Sequence, residues 1–210
     1  MKRLLSVCAV VVVATAVLSG QTRGTAKPAA PGAAKPAAPA AAAAPRSAGA
    51  GPVIVFETVK GTFEMETYPN EAPKSVEHIL TLVKRNFYNG LRVHRVVPGF
   101  VAQFGDPQTR DMTKLADWGT RGSGKSIGVA EISKQRPHQL GAVALAHAGD
   151  PREGDSQMYI CLSGPGRYEA IEGDFTVFAQ VISGIDVVQK LQERDVIRRA
   201  TIREAGRGSK

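Results

Sequence analysis

Short apolar runs separated by polar turns recur along the chain after residue 52, and this pattern predicts strands. Residues 53–59 and 62–67 are rich in β-branched and aromatic residues and surround a Lys-Gly pair, which predicts a hairpin. Residues 91–97 and 100–104 flank a Pro-Gly turn in the same way. Three later apolar runs predict further strands, at residues 142–146, 158–162 and 176–182, and residues 199–204 are expected to form a last strand.

One longer segment, residues 69–89, has helical spacing instead. Its apolar residues recur three or four positions apart, at Val76, Ile79, Leu80 and Val83. Pro73 suits the first turn of such a helix, because a backbone N–H there would have no partner within the helix. Residues 185–192 predict a second, short helix. Many short strands with two helices favour a mainly β fold, a closed β-barrel capped by the helices.

The N-terminal part of the chain has a different pattern. Two bases, an apolar run at residues 4–18 and small residues after it predict a secretory signal peptide over residues 1–20. The run is shorter than the roughly 20 apolar residues of a membrane span, so an uncleaved membrane anchor is the minor alternative. The sequence therefore predicts an exported protein, either periplasmic or secreted.

Residues 21–51 consist almost wholly of Ala, Pro, Gly and Lys. Such a segment cannot bury enough apolar surface to offset the entropy of ordering it, which predicts a disordered linker. The ordered domain is then expected at residues 52–205, with a flexible tail at residues 206–210.

The net charge of the chain, +8, is concentrated outside that domain. Of the 27 Lys and Arg residues, six precede Glu57, and no acid precedes it. The remaining 21 bases face 19 acids, so the domain carries about +2, too little to indicate a nucleic-acid surface. The linker bases allow a weak contact with anionic envelope components. Cys161 is the one cysteine beyond the predicted leader, which excludes an internal disulfide after cleavage.

Residues 93–106 carry the pattern most specific to a function. If the runs on either side of the Pro-Gly turn pair as strands, Arg95 and Gln103 share one face with apolar neighbours. A cation and an amide on an apolar floor can hold a polar, uncharged group. This stretch closely resembles the signature of the cyclophilins, the cyclosporin-binding peptidyl-prolyl cis/trans isomerases. Further matches follow in the same order at residues 141–148, 155–161 and 172–178.

The resemblance covers residues 53–204 and implies a closed eight-stranded antiparallel β-barrel capped by two α-helices. It implies an isomerase that accelerates rotation of X-Pro peptide bonds in unfolded or folding exported proteins, without a covalent intermediate. Arg95 would donate a hydrogen bond to the prolyl nitrogen, and Gln103 would orient Arg95 and the substrate. The resemblance implies neither a metal nor an organic cofactor. We expect a monomer that binds proline-containing segments and no nucleic acid.

The other site residues follow from the same resemblance. Those expected to contact the substrate are Phe100, Val101, Ala146, His147, Gln157, Tyr159, Ile171 and Phe175. His147 replaces an asparagine that is common in eukaryotic members, and Phe175 replaces a histidine, which makes the pocket more apolar. Ala170 stands where many members have a tryptophan, which argues against tight cyclosporin binding.

The alternative function is a chaperone-like module of the same fold that binds proline peptides, with weak or incidental catalysis. Ala170 and Phe175 keep this alternative open. The retained Arg95 and Gln103 favour the enzyme, because binding alone does not require that pair.

A second motif points to a different chemistry. Residues 119–126 satisfy the phosphate-loop pattern, but they lack the preceding buried strand and the following helix that the motif requires. We therefore expect this loop to bound the peptide groove and not to bind a nucleotide. His94 is expected to be a hydrogen-bonded structural residue, Cys161 a buried strand residue and Phe104 a core residue.

Overall fold

The structure, a computed structural model, describes residues 51–203. The predicted signal peptide at residues 1–20, nearly all of the predicted linker and the predicted tail lie outside the described residues. The described part contains the strands β1 (Val53–Thr58), β2 (Gly61–Thr67), β3 (Arg95–Val97), β4 (Val101–Phe104), β5 (Ala142–Leu145), β6 (Met158–Cys161), β7 (Val177–Ser183) and β8 (Ile197–Arg203). Its two α-helices are α1 (Pro73–Lys84) and α2 (Ile185–Val188). The predicted mainly β composition is confirmed.

All eight strands form one antiparallel sheet, in the order β3-β4-β6-β5-β7-β2-β1-β8. Within the described chain the edge strands β3 and β8 do not pair with each other. The segments that precede them meet through the isolated bridge Arg92–Val196 and a few backbone hydrogen bonds. The sheet is therefore an open, curled half-barrel, and the prediction of a closed barrel was wrong. The sheet does not close because residues 91–93 hydrogen-bond to the segment before β8, whereas Arg95–Val97 pair with β4.

Helix α1 is shorter at both ends than the predicted segment, residues 69–89. Pro73 occupies its first turn, as expected. The helix stops where Asn86 adopts a left-handed conformation, with φ of 56°. The N–H of Phe87 then donates to the oxygen of Leu82 at 3.0 Å, as in a Schellman motif. The apolar spacing alone does not reveal this stop.

Helix α2 also ends early, at Val188 instead of residue 192. The N–H of Leu191 bonds to the oxygen of Val188, three residues back, so the chain continues in tighter turns. Neither α-helix in the described part of the chain is long and apolar enough to cross a membrane.

The sheet carries two apolar clusters, one on each face, because successive residues of a strand point to opposite sides. From β4 and β6, the main core under α1 takes Ala102, Phe104, Met158 and Ile160. The second cluster takes Val101, Tyr159 and Cys161 from the same strands. The predictions of Phe104 as core and of Cys161 as a buried strand residue are confirmed.

Candidate active site

Four strands bring one row of residues onto the face that carries the second cluster. Arg95 of β3 is opposite Gln103 of β4, which is opposite Tyr159 of β6. Tyr159 is in turn opposite Ala144 of β5. Because neighbouring strands lie about 4.8 Å apart, the guanidinium, the amide and the aromatic ring stand side by side. The register of the first pair follows from the tight turn at Gly99, whose φ of 66° suits glycine.

Hydrogen bonds connect the polar part of this row. Arg95 Nη1 donates to Gln103 Oε1 at 3.4 Å, which is the one hydrogen bond of the guanidinium within residues 51–203. Gln103 Nε2 donates to Gln157 Oε1 at 3.0 Å. Arg95 is exposed, so its guanidinium is held on one side and remains accessible to a ligand on the other.

Gln157 is held by the loop that follows β4. Its Nε2 donates to the main-chain oxygens of Gly119 and Arg121, both at 2.8 Å. The buried carboxylate of Asp106 accepts from the N–H groups of the same two residues, at 2.7 Å and 3.1 Å. Sequence analysis assigned no role to Asp106, because these amides lie 13 and 15 residues further along the chain.

The six apolar residues predicted to contact the substrate belong to one cluster, which we call the apolar site: Phe100, Val101, Ala146, Tyr159, Ile171 and Phe175. Val101 and Tyr159 are buried, and the other four are partly buried around them. The rings of Tyr159 and Phe175 meet edge to face, with centroids 5.5 Å apart. Phe100 stacks on Tyr168, whose hydroxyl donates to the oxygen of Phe100 at 2.7 Å. The apolar site therefore adjoins the polar row through Tyr159.

His147 lies at the border of the apolar site. Its ring stacks on Phe175 with centroids 4.3 Å apart. Its Nε2 donates to the oxygen of Asp174 at 2.9 Å, while its Nδ1 accepts from the N–H of Gly149 at 3.2 Å. Both ring nitrogens are thus used within the protein, and the ring supports Phe175.

Two further residues of this region were missed from the sequence. His138 is only 2% exposed, and its ring lies 5.9 Å from those of both Tyr159 and Tyr168. Glu172 accepts a hydrogen bond from the main-chain N–H of His138 at 3.0 Å. A single histidine in a loop carries no periodic signal, and its partners lie 21 and 34 residues away in the chain.

The phosphate-loop pattern at residues 119–126 has a structural explanation. Within the described chain a 3-10 turn precedes it and no helix directly follows it. The N–H groups of Gly124 and Lys125 donate to Asp155 Oδ2 at 3.0 Å and 3.3 Å, and the Ser123 hydroxyl donates to Asp155 Oδ1. The loop thus binds a carboxylate of its own chain, in the way that a phosphate loop binds an anion.

The prediction that His94 is hydrogen-bonded was wrong. Both of its ring nitrogens are buried, and neither makes a hydrogen bond of normal geometry within residues 51–203, although the Gln157 side chain is close enough to raise the pKa of the ring against the larger effect of burial. The ring lies against Gly119, where an added Cβ would be a tight 3.3 Å from His94 Cδ2. Burial lowers the pKa of His94. Among the described residues no group of three or more His, Cys, Asp or Glu side chains could hold a metal ion.

Comparison with known families agrees with the fold. The family model for the cyclophilin type peptidyl-prolyl cis-trans isomerase/CLD matches residues 53–206. The chain therefore belongs to the cyclophilin-type peptidyl-prolyl cis/trans isomerases. Its activity is that of the family, isomerisation of X-Pro peptide bonds, as the resemblance implied.

Curated relatives support the assignment. A peptidyl-prolyl cis-trans isomerase of Helicobacter pylori (strain ATCC 700392 / 26695) is 35% identical over 143 residues, which cover 67% of this chain and 80% of the relative. A probable peptidyl-prolyl cis-trans isomerase of Brucella abortus (strain 2308) is 37% identical over 144 residues, or 67% of this chain and 71% of the relative.

Solved structures show the same fold. A cyclophilin-type peptidyl-prolyl cis-trans isomerase of Cryptosporidium parvum has a TM-score of 0.62 at 21% identity, covering 73% of this chain and 98% of that chain. A crystal structure of that protein in the presence of the dipeptide Ala-Pro has a TM-score of 0.61 at 21% identity, over 72% of this chain and 99% of that one.

Proposed function

We propose that Arg95 catalyses rotation of the X-Pro bond by donating a hydrogen bond to the prolyl nitrogen, while the apolar site holds the proline ring. The observation that carries this proposal is the placement of the guanidinium beside the apolar site, where Gln103 holds it on one side. The nitrogen accepts such a bond only as it loses conjugation with the carbonyl group, so the interaction is stronger in the transition state. Gln103 orients the guanidinium.

The magnitudes are consistent with this role. Rotation about the peptide bond crosses a barrier of about 18–20 kcal/mol. Hundreds of turnovers per second require a barrier of about 14 kcal/mol, so the enzyme must supply about 4–6 kcal/mol. A charge-assisted hydrogen bond contributes about 1.5–3 kcal/mol. Arg95 accounts for a large part of the difference, and desolvation and positioning in the apolar site supply the remainder.

The ligands we propose are extended proline-containing segments of unfolded proteins. The related Cryptosporidium parvum structure, determined in the presence of Ala-Pro, supports a proline dipeptide as a ligand of this fold. In this chain, Phe100, Val101, Tyr159, Ile171 and Phe175 would surround the proline ring. Ala146, His147 and Gln157 border the same surface and would meet the peptide backbone and the adjacent side chain.

The rival function is a proline-peptide receptor whose catalysis is incidental. The two functions are separated by measuring isomerisation of a proline peptide and the affinity for it in the same variants. Arg95→Ala is expected to lower kcat/KM about 10- to 100-fold, with the affinity changed less than about threefold. Arg198→Ala is the matched control, because Arg198 is exposed on β8 at the other edge of the sheet. A rate unaffected by Arg95→Ala would favour the receptor.

We further propose that the chain is exported, acts as a monomer and meets its substrates outside the cytoplasm. The support is the apolar run at residues 4–18, which follows two bases and precedes small residues. Expression of the full chain with a C-terminal tag, followed by cell fractionation and intact-mass measurement, tests this. We expect an extracytoplasmic protein that lacks its first 16 to 20 residues; an unprocessed chain in the membrane fraction would instead support an anchor.

A further inference from the structure

His138 connects two parts of the apolar site that are distant in sequence. Its Nε2 lies 2.8 Å from the hydroxyl of Tyr159, and its Nδ1 lies 3.1 Å from Glu172 Oε2. The same oxygen of Glu172 accepts from the main-chain N–H of His138 at 3.0 Å. Since a carboxylate only accepts, the neutral ring carries its proton on Nδ1, and Nε2 accepts from the Tyr159 hydroxyl.

The two partners of His138 have different places in the site. Tyr159 on β6 belongs to the floor, in the row that includes Gln103. Glu172 directly follows Ile171, which lies on the wall of the apolar site at the end of a 3-10 turn. His138 therefore joins the floor to the wall through two side-chain hydrogen bonds and one main-chain hydrogen bond.

The wall has space to move if this connection is lost. A cavity of about 430 Å³, open to solvent, adjoins it, and its lining includes Pro137, Glu172, Gly173 and Phe175. Glu172 is largely exposed apart from its contact with His138, with 42% of its side-chain surface accessible. Within residues 51–203, no hydrogen bond other than the two from His138 holds the Glu172 carboxylate in place.

The hydrogen bond to the Tyr159 hydroxyl also keeps the floor apolar. Tyr159 is 5% exposed, and a buried hydroxyl without a partner destabilises the fold or recruits water. Because His138 accepts the hydrogen bond of the Tyr159 hydroxyl, the hydroxyl does not need a water molecule as a partner within the apolar site.

We propose that His138 and Glu172 are positioning residues that set the width of the apolar site and thereby its selectivity for the five-membered ring of proline. This rests on the proposed function of the apolar site. Loss of the connection lets the wall move towards the cavity, so a larger ring is accepted and a proline ring is held less firmly. The residues act on the substrate through Tyr159 and Ile171.

The test compares two peptides that differ only in ring size, one with Ala-Pro and one with Ala followed by the six-membered homologue pipecolic acid. Kinetics are measured for His138→Ala, Glu172→Ala, Tyr159→Phe and the double variant of His138→Ala with Tyr159→Phe. We expect KM for the proline peptide to rise about 3- to 10-fold in His138→Ala and Glu172→Ala, as for one lost hydrogen bond. The change in kcat should stay within about twofold, and the preference for proline over pipecolic acid should fall.

The double variant separates positioning from a general loss of stability. Because His138 and Tyr159 share one contact, the effect of the pair should be smaller than the product of the two single effects. Thr67→Val is the matched control: it removes the 2.8 Å hydrogen bond from the buried Thr67 to the oxygen of Pro52, which involves no residue of the apolar site. It should lower stability without changing KM or ring preference.

Unchanged KM and ring preference in His138→Ala and Glu172→Ala, or effects that multiply independently in the double variant, would overturn the proposal. If His138→Ala does not fold, Glu172→Ala combined with Tyr159→Phe supplies the comparison, because both residues are joined through His138. This test and the test of Arg95 can fail separately. If Arg95→Ala did not slow the reaction, the catalytic role of Arg95 would be contradicted. The ring preference of the His138 and Glu172 variants could still be measured as the ratio of their affinities for the two peptides.

Discussion

Gln157 fixes the orientation of the Gln103 amide, since Gln103 Nε2 donates to Gln157 Oε1 at 3.0 Å. Gln157 Nε2 donates to the main-chain oxygens of Gly119 and Arg121, so the side-chain oxygen of Gln157 must face Gln103. The oxygen of Gln103 is thereby turned towards Arg95. The loop after β4 thus controls the guanidinium through two glutamine side chains.

We expect Gln103→Leu to lower kcat/KM about 5- to 10-fold, because Arg95 loses the acceptor that orients it and a net hydrogen bond is lost. The measurement is isomerisation of an Ala-Pro peptide together with its affinity. Gln192→Leu is the control, since Gln192 is an exposed glutamine that accepts from Lys60 and makes no hydrogen bond to Arg95, Gln103 or Gln157 within residues 51–203. Equal rates for the two variants would show that Gln103 does not orient Arg95.

A second prediction concerns Asp155, the carboxylate enclosed by residues 123–125. Burial raises its pKa, but hydrogen bonds from His78, Ser123 and Gly124 outweigh burial and lower the pKa below 3.8. A lowered carboxyl pKa stabilises the folded protein at neutral pH, and this stability is lost as the pH falls through the lowered value. Asp155→Asn should therefore reduce the free energy of unfolding at pH 7 by about 1–2 kcal/mol.

Denaturant unfolding at several pH values checks this prediction. The difference between Asp155→Asn and the unmodified protein should shrink as the pH falls below 3.8. Asp150→Asn provides the comparison, because Asp150 also accepts from a main-chain N–H and pairs with Arg152, but at the surface. Its effect should be much smaller. A loss for Asp155→Asn as small as that of Asp150→Asn would contradict a structural role for the enclosed carboxylate.

The part of the site that the sequence reveals is the part whose geometry is local. Arg95 and Gln103 lie on strands joined by a tight turn, so their pairing follows from the alternation of side chains along a hairpin. The family signature adds the residues of the apolar site, which the structure places in one cluster. Those assignments need no knowledge of how distant loops fold.

The remaining parts depend on contacts between distant residues. His138, Tyr159 and Glu172 come together across three segments, and no periodicity in any of them indicates the others. The prediction of a closed barrel was wrong for a similar reason. Residues 91–93 belong to the same predicted strand as β3, yet they hydrogen-bond to the segment before β8, and only the three-dimensional path of the chain shows this change of partner.

His94 supplies a third prediction, on the pH dependence of stability. Burial lowers its pKa from the usual 6.5, and this effect outweighs the opposing effects of Asp106 and Gln157. The unfolded state then binds a proton more readily, so this residue stabilises the fold above about pH 6.5 and that stability is lost as the pH falls. We expect the free energy of unfolding to decrease as the pH is lowered from about 7.5 to about 5, a range that includes the ordinary histidine pKa.

In His94→Leu the same decrease should be smaller, because leucine does not titrate. Urea unfolding of both proteins across this pH range is the measurement. Carboxyl groups with ordinary or lowered pKa values remain charged over most of it, so they contribute little to the slope. An unchanged slope in His94→Leu would mean that another group causes the acid sensitivity.

The last prediction concerns the reactivity of Cys161, which is fully buried on β6. Burial raises the pKa of its thiol to about 12, so very little thiolate exists at pH 8. In a Cys8→Ser background, iodoacetamide should therefore modify Cys161 only when the domain opens. The labelling rate at pH 8 should be low in buffer and should rise with urea in parallel with unfolding, as followed by intact mass. Rapid labelling of the folded protein would show that the second cluster opens far more readily than its packing implies, and would weaken the view of the apolar site as a rigid surface.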